Sequence, residues 1–224
     1  DPQLISRIRH LVEENFTRYF DLFCQYNLNP ELGLECFKTA ARQKAELEHA
    51  GFTVTESVGG KTGLVGVLKN GEGPTILYRA DMDSLPVPDE RPEAWRCTDG
   101  KTGSQCGHSL HSALLPFVGH CLYQLRDAWR GTALLVAQDG EEGWNGANIM
   151  LEQGRLYERF GRPDAALAFH VSPTLPGGTL GVVSGWAMAL AQFLTIECYG
   201  VGGHGGNPQN TVSPIELAAR LATE

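Results

Sequence analysis

Long apolar runs are missing from this sequence, and no stretch approaches the roughly eighteen consecutive apolar residues that a membrane helix needs. Positive charge is also scarce, because 18 lysines and arginines stand against 26 acidic residues and the formal charge is −8. No basic stripe breaks this pattern, so a phosphate backbone would be repelled. The sequence therefore predicts neither a membrane span nor a nucleic-acid partner.

Cysteine use indicates the cellular compartment. Six cysteines are scattered through 224 residues, a chain too large to need disulfides for stability. Several lie in apolar or helical contexts, where a free cysteine behaves as a small hydrophobe. No charged-then-apolar leader opens the chain. We expect a reducing, cytoplasmic location; because the chain starts at Asp1 without methionine, we expect missing or processed residues before it, and export stays open as an alternative.

The hydrophobic pattern alternates between helix and strand. Helical spacing of apolar residues predicts helices over residues 4–23, 36–49, 111–125 and 146–153. Gly51 stands where a C-terminal cap glycine belongs. Short apolar segments predict strands over residues 52–55, 64–68, 75–80, 132–137 and 165–170, the last two buried. Strands alternating with helices indicate an α/β fold, a mixed sheet with helices on both faces.

The texture of the chain changes near residue 188. A long alternating strand is predicted over residues 191–199, followed by glycines and a final helix that begins at Ser213 or Pro214. We therefore expect a catalytic domain over residues 1–187 and the start of a smaller α+β domain over residues 188–224.

Soft side chains concentrate in the segment SQCGHSLHSALL, residues 104–115, which holds one cysteine and two histidines within six positions. Thiolate, imidazole and carboxylate groups together suit Zn, Mn, Co or Ni. In an α/β sheet, functional groups collect at the carboxyl ends of strands. Eight metal-competent residues fall at predicted strand ends or helix starts: Asp81, Asp83, Cys106, His108, His111, Glu141, Glu142 and His170.

Spacing predicts how some of these side chains are arranged. Cys106 and His108 are two positions apart, and alternate residues of an extended loop project to the same side. Glu141 and Glu142 are adjacent and are expected to point in different directions. One carboxylate would then bind metal while the other faces water as a base.

Other interpretations remain open at this stage. Cys106 and a histidine could form a thiolate–imidazolium pair for nucleophilic catalysis, or the segment could be only a helix start. Asp81 and Asp83 could be turn or cap residues, and the two glutamates a solvated pair. Residues 200–205 spell GxGxxG after a predicted strand, which is typical of dinucleotide-binding loops. No helix is predicted inside that motif, so the match is interpreted as accidental.

Six segments together resemble the aminoacylase and carboxypeptidase family of metallopeptidases, peptidase family M20, and in particular its amidohydrolase branch, which includes hippurate hydrolases and auxin-conjugate hydrolases. They occur in the order NPELGLECFKTA, YRADMDSLPV, CGHSLHSALL, QDGEEGWNGANIMLEQG, AFHVSPTLPGGTLGV and GVGGHGGNP. The resemblance implies a hydrolase that uses two divalent ions, Zn or Mn with Co or Ni as alternatives, to cleave N-acyl amino acids, dipeptides or related small amides. It also implies a small dimerisation or lid domain, and hence a homodimer.

The resemblance assigns roles position by position. Four residues match metal ligands of the family: Cys106, His108, Glu142 and His170. Glu141 matches the general base that activates water, and Asp83 matches a carboxylate that orients a ligand. His204 resembles a small-domain histidine that reaches the substrate. Three further residues are candidates for a supporting role around the ligands: Asp81, His111 and Ser109.

Two departures from the family pattern favour an alternative. Ser109 stands where the family has an aspartate after the CGH motif. Family members also continue well beyond residue 224 and supply a further metal-binding histidine. The alternative expectation is a truncated or degenerate homologue that keeps the fold but binds metal weakly and catalyses little or nothing.

Overall fold

The computed structural model describes residues 1–187 and 194–223, which divide into two compact units, Asp1–Pro173 and Thr174–Glu224. Residues 188–193 are not among the described residues, so the domain boundary predicted at residue 188 lies outside the described part of the chain. Within the described part of the chain, no helix combines the length and apolar character needed to cross a membrane.

The first unit confirms the predicted alternation of helices and strands. The predicted helix over residues 146–153 is one short helix, Gly146–Asn148, followed by a π-helical turn, Ile149–Gln153, and a further short helix at Leu156–Phe160 was not predicted. The elements in chain order are α1 (Pro2–Leu28), α2 (Phe37–His49), β1 (Thr53–Thr55), β2 (Leu64–Asn70), β3 (Thr75–Asp81), α3 (His108–Gln124), β4 (Gly131–Gln138), α4 (Gly146–Asn148), α5 (Leu156–Phe160) and β5 (Ala165–Ala168).

The five strands form one mixed sheet in the order β1-β2-β4-β3-β5. β4 is antiparallel to β2 and parallel to β3, and β5 is parallel to β3. The connections from β3 to β4 and from β4 to β5 therefore run in opposite directions along the sheet. Because such crossovers are right-handed, they place their helices on opposite faces.

Alternate residues of β4 show these two faces directly. Leu135 belongs to a buried cluster with Leu47 of α2 and Leu115 of α3. Leu134, one position earlier, belongs to a cluster with Met150 of the π-helical turn. The predicted α/β fold, a mixed sheet with helices on both faces, is confirmed.

The burial predicted for β5 is wrong. All four of its residues are exposed, and Leu167 retains 60% of its accessible surface. Among the described residues, β5 lies at the edge of the sheet and pairs only with β3. Within the described ranges, therefore, no elements cover both faces of β5, although its residues are apolar.

The second unit differs from its prediction in one element. Residues 194–199 form no strand, because no neighbouring strand pairs with them among the described residues, and residues 191–193 lie outside the described part of the chain. The GxGxxG segment forms only a single bridge, between Val201 and Val212, and no helix begins inside it. The final helix, α6 (Pro214–Thr223), is confirmed.

Gly107 determines how α3 begins, and α3 carries part of the predicted site. Its φ angle is +85°, in the left-handed region that favours glycine. A Cβ atom at this position would lie 2.3 Å from Cγ2 of Val171, just beyond β5. The backbone of Gly107 therefore allows the loop after β5 to approach the first turn of α3.

We predict that Gly107→Ala destabilises the protein by about 2–4 kcal/mol, because a left-handed alanine and a steric overlap add together. Gly100→Ala is the matched control, since Gly100 has a φ of +70° but a Cβ atom added there would meet no atom within 4 Å. The control should lose only about 1–2 kcal/mol. Urea denaturation measures both variants, and equal losses would show that Val171 does not constrain Gly107.

Candidate metal centre

The predicted site residues of the first unit lie at the carboxyl ends of the parallel strands β3, β4 and β5, on one side of the sheet. Asp81 ends β3, Glu141 follows the end of β4, and His170 follows the end of β5. Cys106 and His108 flank the start of α3. Three groups have ligand atoms within 4.8 Å of one another: Cys106, His108 and His170; Asp81, His108 and His111; and His108, Glu141 and Glu142.

The backbone just after β3 holds the imidazole ring of His108. Its Nδ1 atom lies 2.7 Å from the carbonyl oxygen of Asp83, and only 1% of the residue is exposed. A carbonyl oxygen only accepts, so Nδ1 carries the proton, and in the neutral ring Nε2 then presents a lone pair. Among the described residues, Nε2 is buried without a hydrogen-bond partner. An oriented imidazole of this kind is typical of a metal ligand.

His170 is oriented in the same way. Its Nδ1 atom donates to the carbonyl oxygen of Val171 over 2.7 Å, so in the neutral ring the Nε2 lone pair points into the site. That Nε2 lies 3.5 Å from Sγ of Cys106. Two such ligands of one tetrahedral zinc ion would be separated by about 3.6 Å, given bond lengths of about 2.0 and 2.3 Å.

The two glutamates converge, in contrast to the prediction that they point apart. Glu141 Oε2 and Glu142 Oε1 lie 3.7 and 3.8 Å from the same Nε2 of His108. Their backbone amides both donate to the carboxylate of Asp83, at 2.9 and 3.0 Å, which turns the loop after β4 towards α3. Burial raises the pKa of Asp83, and these two amides offset only part of that effect.

Cys106 is a poor nucleophile in this environment. Burial, followed by the hydrogen bond and charge of Glu142, raises the pKa of its thiol to about 12. This argues against the thiolate–imidazolium pair, because a nucleophilic cysteine needs a lowered pKa. A bound cation would favour the thiolate instead. The convergence of Cys106 and His108 comes from the left-handed turn at Gly107, not from the extended loop that was predicted.

Asp81 and His111 form a second buried pair. His111 Nδ1 lies 2.6 Å from Asp81 Oδ1, and Arg79 donates to Asp81 Oδ2 over 2.7 Å. Burial alone would raise the pKa of Asp81, but the hydrogen bond from His111 and the positive charge of Arg79 lower it. Sequence reasoning missed Arg79, although its position two residues before Asp81 on a strand places both on the same face.

Ser109 and His204 are not among these groups. Ser109 Oγ accepts a 2.9 Å hydrogen bond from Asn27 of α1, so its hydroxyl is engaged on the side of that helix. His204 belongs to the second unit, where its Nδ1 accepts from the amide of Gly206 over 3.0 Å. Its predicted contact with substrate stays a prediction.

The residues that converge fit a divalent transition metal. Nε2 of His108 and Oε1 of Glu142 are buried and lack a hydrogen-bond partner among the described residues. A buried polar atom without a partner is costly, and a cation between these two acceptors would satisfy both. The mixture of imidazole, thiol and carboxylate groups is also typical of zinc and its neighbours.

Comparison with known proteins supports the same conclusion. The chain is 30% identical over 222 residues to thermostable carboxypeptidase 2 of Saccharolobus solfataricus, covering 98% of this chain and 56% of that protein. It is 34% identical over 198 residues to the hippurate hydrolase of Campylobacter jejuni, covering 88% and 50%. The chain thus spans about half the length of the curated relatives it matches.

A solved structure with a similar fold is the YXEP protein of Bacillus subtilis, described as a dinuclear metal binding peptidase from the M20 family. It superposes with a TM-score of 0.71 at 30% identity, over 77% of this chain and 48% of that one. The sequence profile of peptidase family M20/M25/M40 matches residues 77–223, which include every residue of the three candidate metal groups. The chain therefore belongs to peptidase family M20/M25/M40.

Proposed function

We propose that this protein is a metal-dependent amidohydrolase that cleaves the amide bond of N-acyl amino acids, dipeptides or related small amides. One observation carries the proposal. The Nε2 lone pairs of His108 and His170 both face a site that also contains Cys106 and two glutamates, while backbone carbonyls hold the opposite ring nitrogens. That arrangement suits cation binding better than nucleophilic or dinucleotide chemistry.

The proposed ligands are Cys106, His108, Glu142 and His170, arranged around two divalent ions. When bound, such ions polarise the amide carbonyl and lower the pKa of water from about 16 towards 7. The choice between zinc, manganese, cobalt and nickel is open, because all four suit this mixture of donors.

Glu141 is proposed as the general base and Glu142 as a ligand. The Glu141 side chain is 40% exposed, whereas that of Glu142 is 22% exposed and has a buried oxygen without a partner among the described residues. The more accessible carboxylate is the better placed of the two to take a proton from water and to deliver it to the leaving nitrogen. Asp83 orients both residues through their amides.

The substrate class is proposed from the relatives. Hippurate hydrolase and carboxypeptidase are names for enzymes that cleave amide bonds next to a small carboxylate-bearing group, and both relatives align with most of this chain. His204 is proposed to contact the substrate. A homodimer formed through the second unit and a cytoplasmic location stay predictions.

A degenerate homologue is the second candidate. Ser109 favours it, because the family pattern has an aspartate here and the hydroxyl is instead bound to Asn27. Loss of a supporting carboxylate typically lowers metal affinity or activity by about 10–100-fold. The two candidates share the fold and differ in metal affinity and in turnover.

We predict that the purified protein binds about one to two equivalents of zinc. Cys106→Ala should weaken zinc binding by more than about 10-fold, because it removes a ligand and not only a supporting group. Cys24→Ala, on α1, is the matched control and should bind zinc like the parent. Titration with a zinc indicator measures all three proteins. Unchanged binding by Cys106→Ala would remove Cys106 from the site.

We predict that Glu141→Gln retains zinc but loses turnover of N-acyl amino acids by about 100-fold or more, because the base is neutralised. Glu142→Gln is the comparison and should lose zinc affinity as well. Turnover is followed by release of the free amino acid. A parent that binds zinc but hydrolyses no member of a broad substrate panel would favour the degenerate homologue, and equal rates for Glu141→Gln and the parent would eliminate the proposed base.

A further inference from the structure

His111 differs from the two proposed histidine ligands in what its ring contacts. Nδ1 lies 2.6 Å from Asp81 Oδ1, and the amide of Val171 donates to Nε2 over 3.0 Å. An amide N–H only donates, so Nε2 is the acceptor. Nδ1 therefore carries the ring proton and donates the hydrogen bond to Asp81. The same Nε2 lone pair cannot also bind a cation.

The contrast with the other two rings is specific. His108 and His170 also carry their proton on Nδ1, but their Nε2 atoms face the site and not a backbone amide. His111 satisfies the distance criterion for a ligand through its grouping with Asp81 and His108. Its hydrogen bonds nevertheless use both ring nitrogens, so proximity alone does not make it a ligand.

His111 contacts three consecutive residues of the loop that carries His170. Its ring meets Phe169 edge-on, with ring centres 5.7 Å apart, and meets His170 at 4.6 Å with an interplanar angle of 67°. Its Nε2 accepts from Val171, the next residue. Because His111 is only 1% exposed and lies on α3, this contact ties the loop to the buried part of the first unit.

The strand before this loop offers little support of its own. β5 has four residues, all exposed, and β3 is its one partner strand in the part of the chain that the structure describes. Asp81, the other partner of His111, is held more rigidly. It ends β3, and its second oxygen accepts a hydrogen bond from Arg79. Arg79 also donates to Gln138 of β4 over 2.8 Å. His111 thus joins the loop after the edge strand β5 to the end of β3, the strand beside it.

We propose that His111 is a positioning residue, not a ligand: it connects Asp81 to the Val171 amide and thereby places His170 at its distance from Cys106. The proposal rests on the proposed metal-dependent function, in that His170 is taken as a ligand. It adds that the affinity of the site for zinc depends on a hydrogen bond made by a residue that does not touch the ion.

Substitutions at His111 separate these contacts. His111→Phe keeps an aromatic ring at this position but loses both hydrogen bonds. His111→Gln supplies an amide oxygen that can accept the hydrogen bond from the Val171 amide. His120→Phe is the matched control, because it makes the same change on the same helix, where the ring lies near Tyr19. Three quantities are measured: the tautomer of His111 by ¹⁵N chemical shifts, hydrogen exchange of the Val171 amide, and the dissociation constant and stoichiometry for zinc.

We predict that metal-free parent protein shows His111 protonated on Nδ1 and a protected Val171 amide. His111→Phe should accelerate exchange at Val171 by at least about 10-fold and raise the zinc dissociation constant by about 10–100-fold with unchanged stoichiometry, as is typical for loss of an outer partner. His111→Gln should show smaller changes, and His120→Phe none.

Three outcomes would overturn the proposal: a proton on Nε2 of His111 in the parent, loss of one bound zinc ion in the variants, or unchanged exchange at Val171. If His111→Phe does not fold, the parent's tautomer and His111→Gln still decide. Failure of the proposed function has a different signature. A parent without turnover or without zinc binding contradicts that function, while the tautomer and the Val171 exchange, measured without metal, continue to test the role of His111.

Discussion

The placement of protons on three imidazoles constrains the whole site. In each ring the Nδ1–H is fixed by an oxygen acceptor, which is a backbone carbonyl for His108 and His170 and the Asp81 carboxylate for His111. Each acceptor follows or ends a strand of the sheet, so the backbone of the fold determines where each Nε2 lone pair points. Two lone pairs face the site and one faces the Val171 amide. The distinction between proposed ligand and proposed support therefore follows from backbone geometry and not from residue type.

Asp83 connects two parts of the site with one residue. Its carbonyl holds the His108 ring, and its carboxylate accepts the amides of Glu141 and Glu142. A shift of the chain after β3 would thus move an imidazole and both carboxylates together. Asp139 anchors the neighbouring region in a similar way, because its carboxylate accepts from the amide and hydroxyl of Thr62. Buried carboxylates at strand ends are costly unless several donors satisfy them. Backbone amides donate to both oxygens of Asp83, whereas at Asp139 the donors all reach Oδ2, and Oδ1 has no hydrogen-bond partner among the described residues.

In the first unit, local sequence patterns were sufficient to place the strands and the strand ends where the candidate site lies. Apolar segments bounded by turn residues such as Asn70 predicted strands, and polar residues that follow strands predicted the site. The patterns failed where the answer depends on distant neighbours. A short apolar segment such as β5 has the same sequence pattern in an edge strand as in a central strand, so the exposure of β5 was not predictable. The role of His111 depends on the Val171 amide, 60 positions away, and no local spacing encodes that contact.

The unsatisfied atoms of the site link metal binding to stability. Nε2 of His108 and Oε1 of Glu142 are buried without hydrogen-bond partners among the described residues, and each such atom costs about 1–3 kcal/mol. The raised pKa of Cys106 comes first from burial of the thiol and then from the hydrogen bond and charge of Glu142. A cation supplies what all three groups lack, and the unfolded chain does not present them together. Because a ligand that binds only the folded state shifts the unfolding equilibrium, a metal ion bound at the proposed site would also stabilise the strand ends that form it.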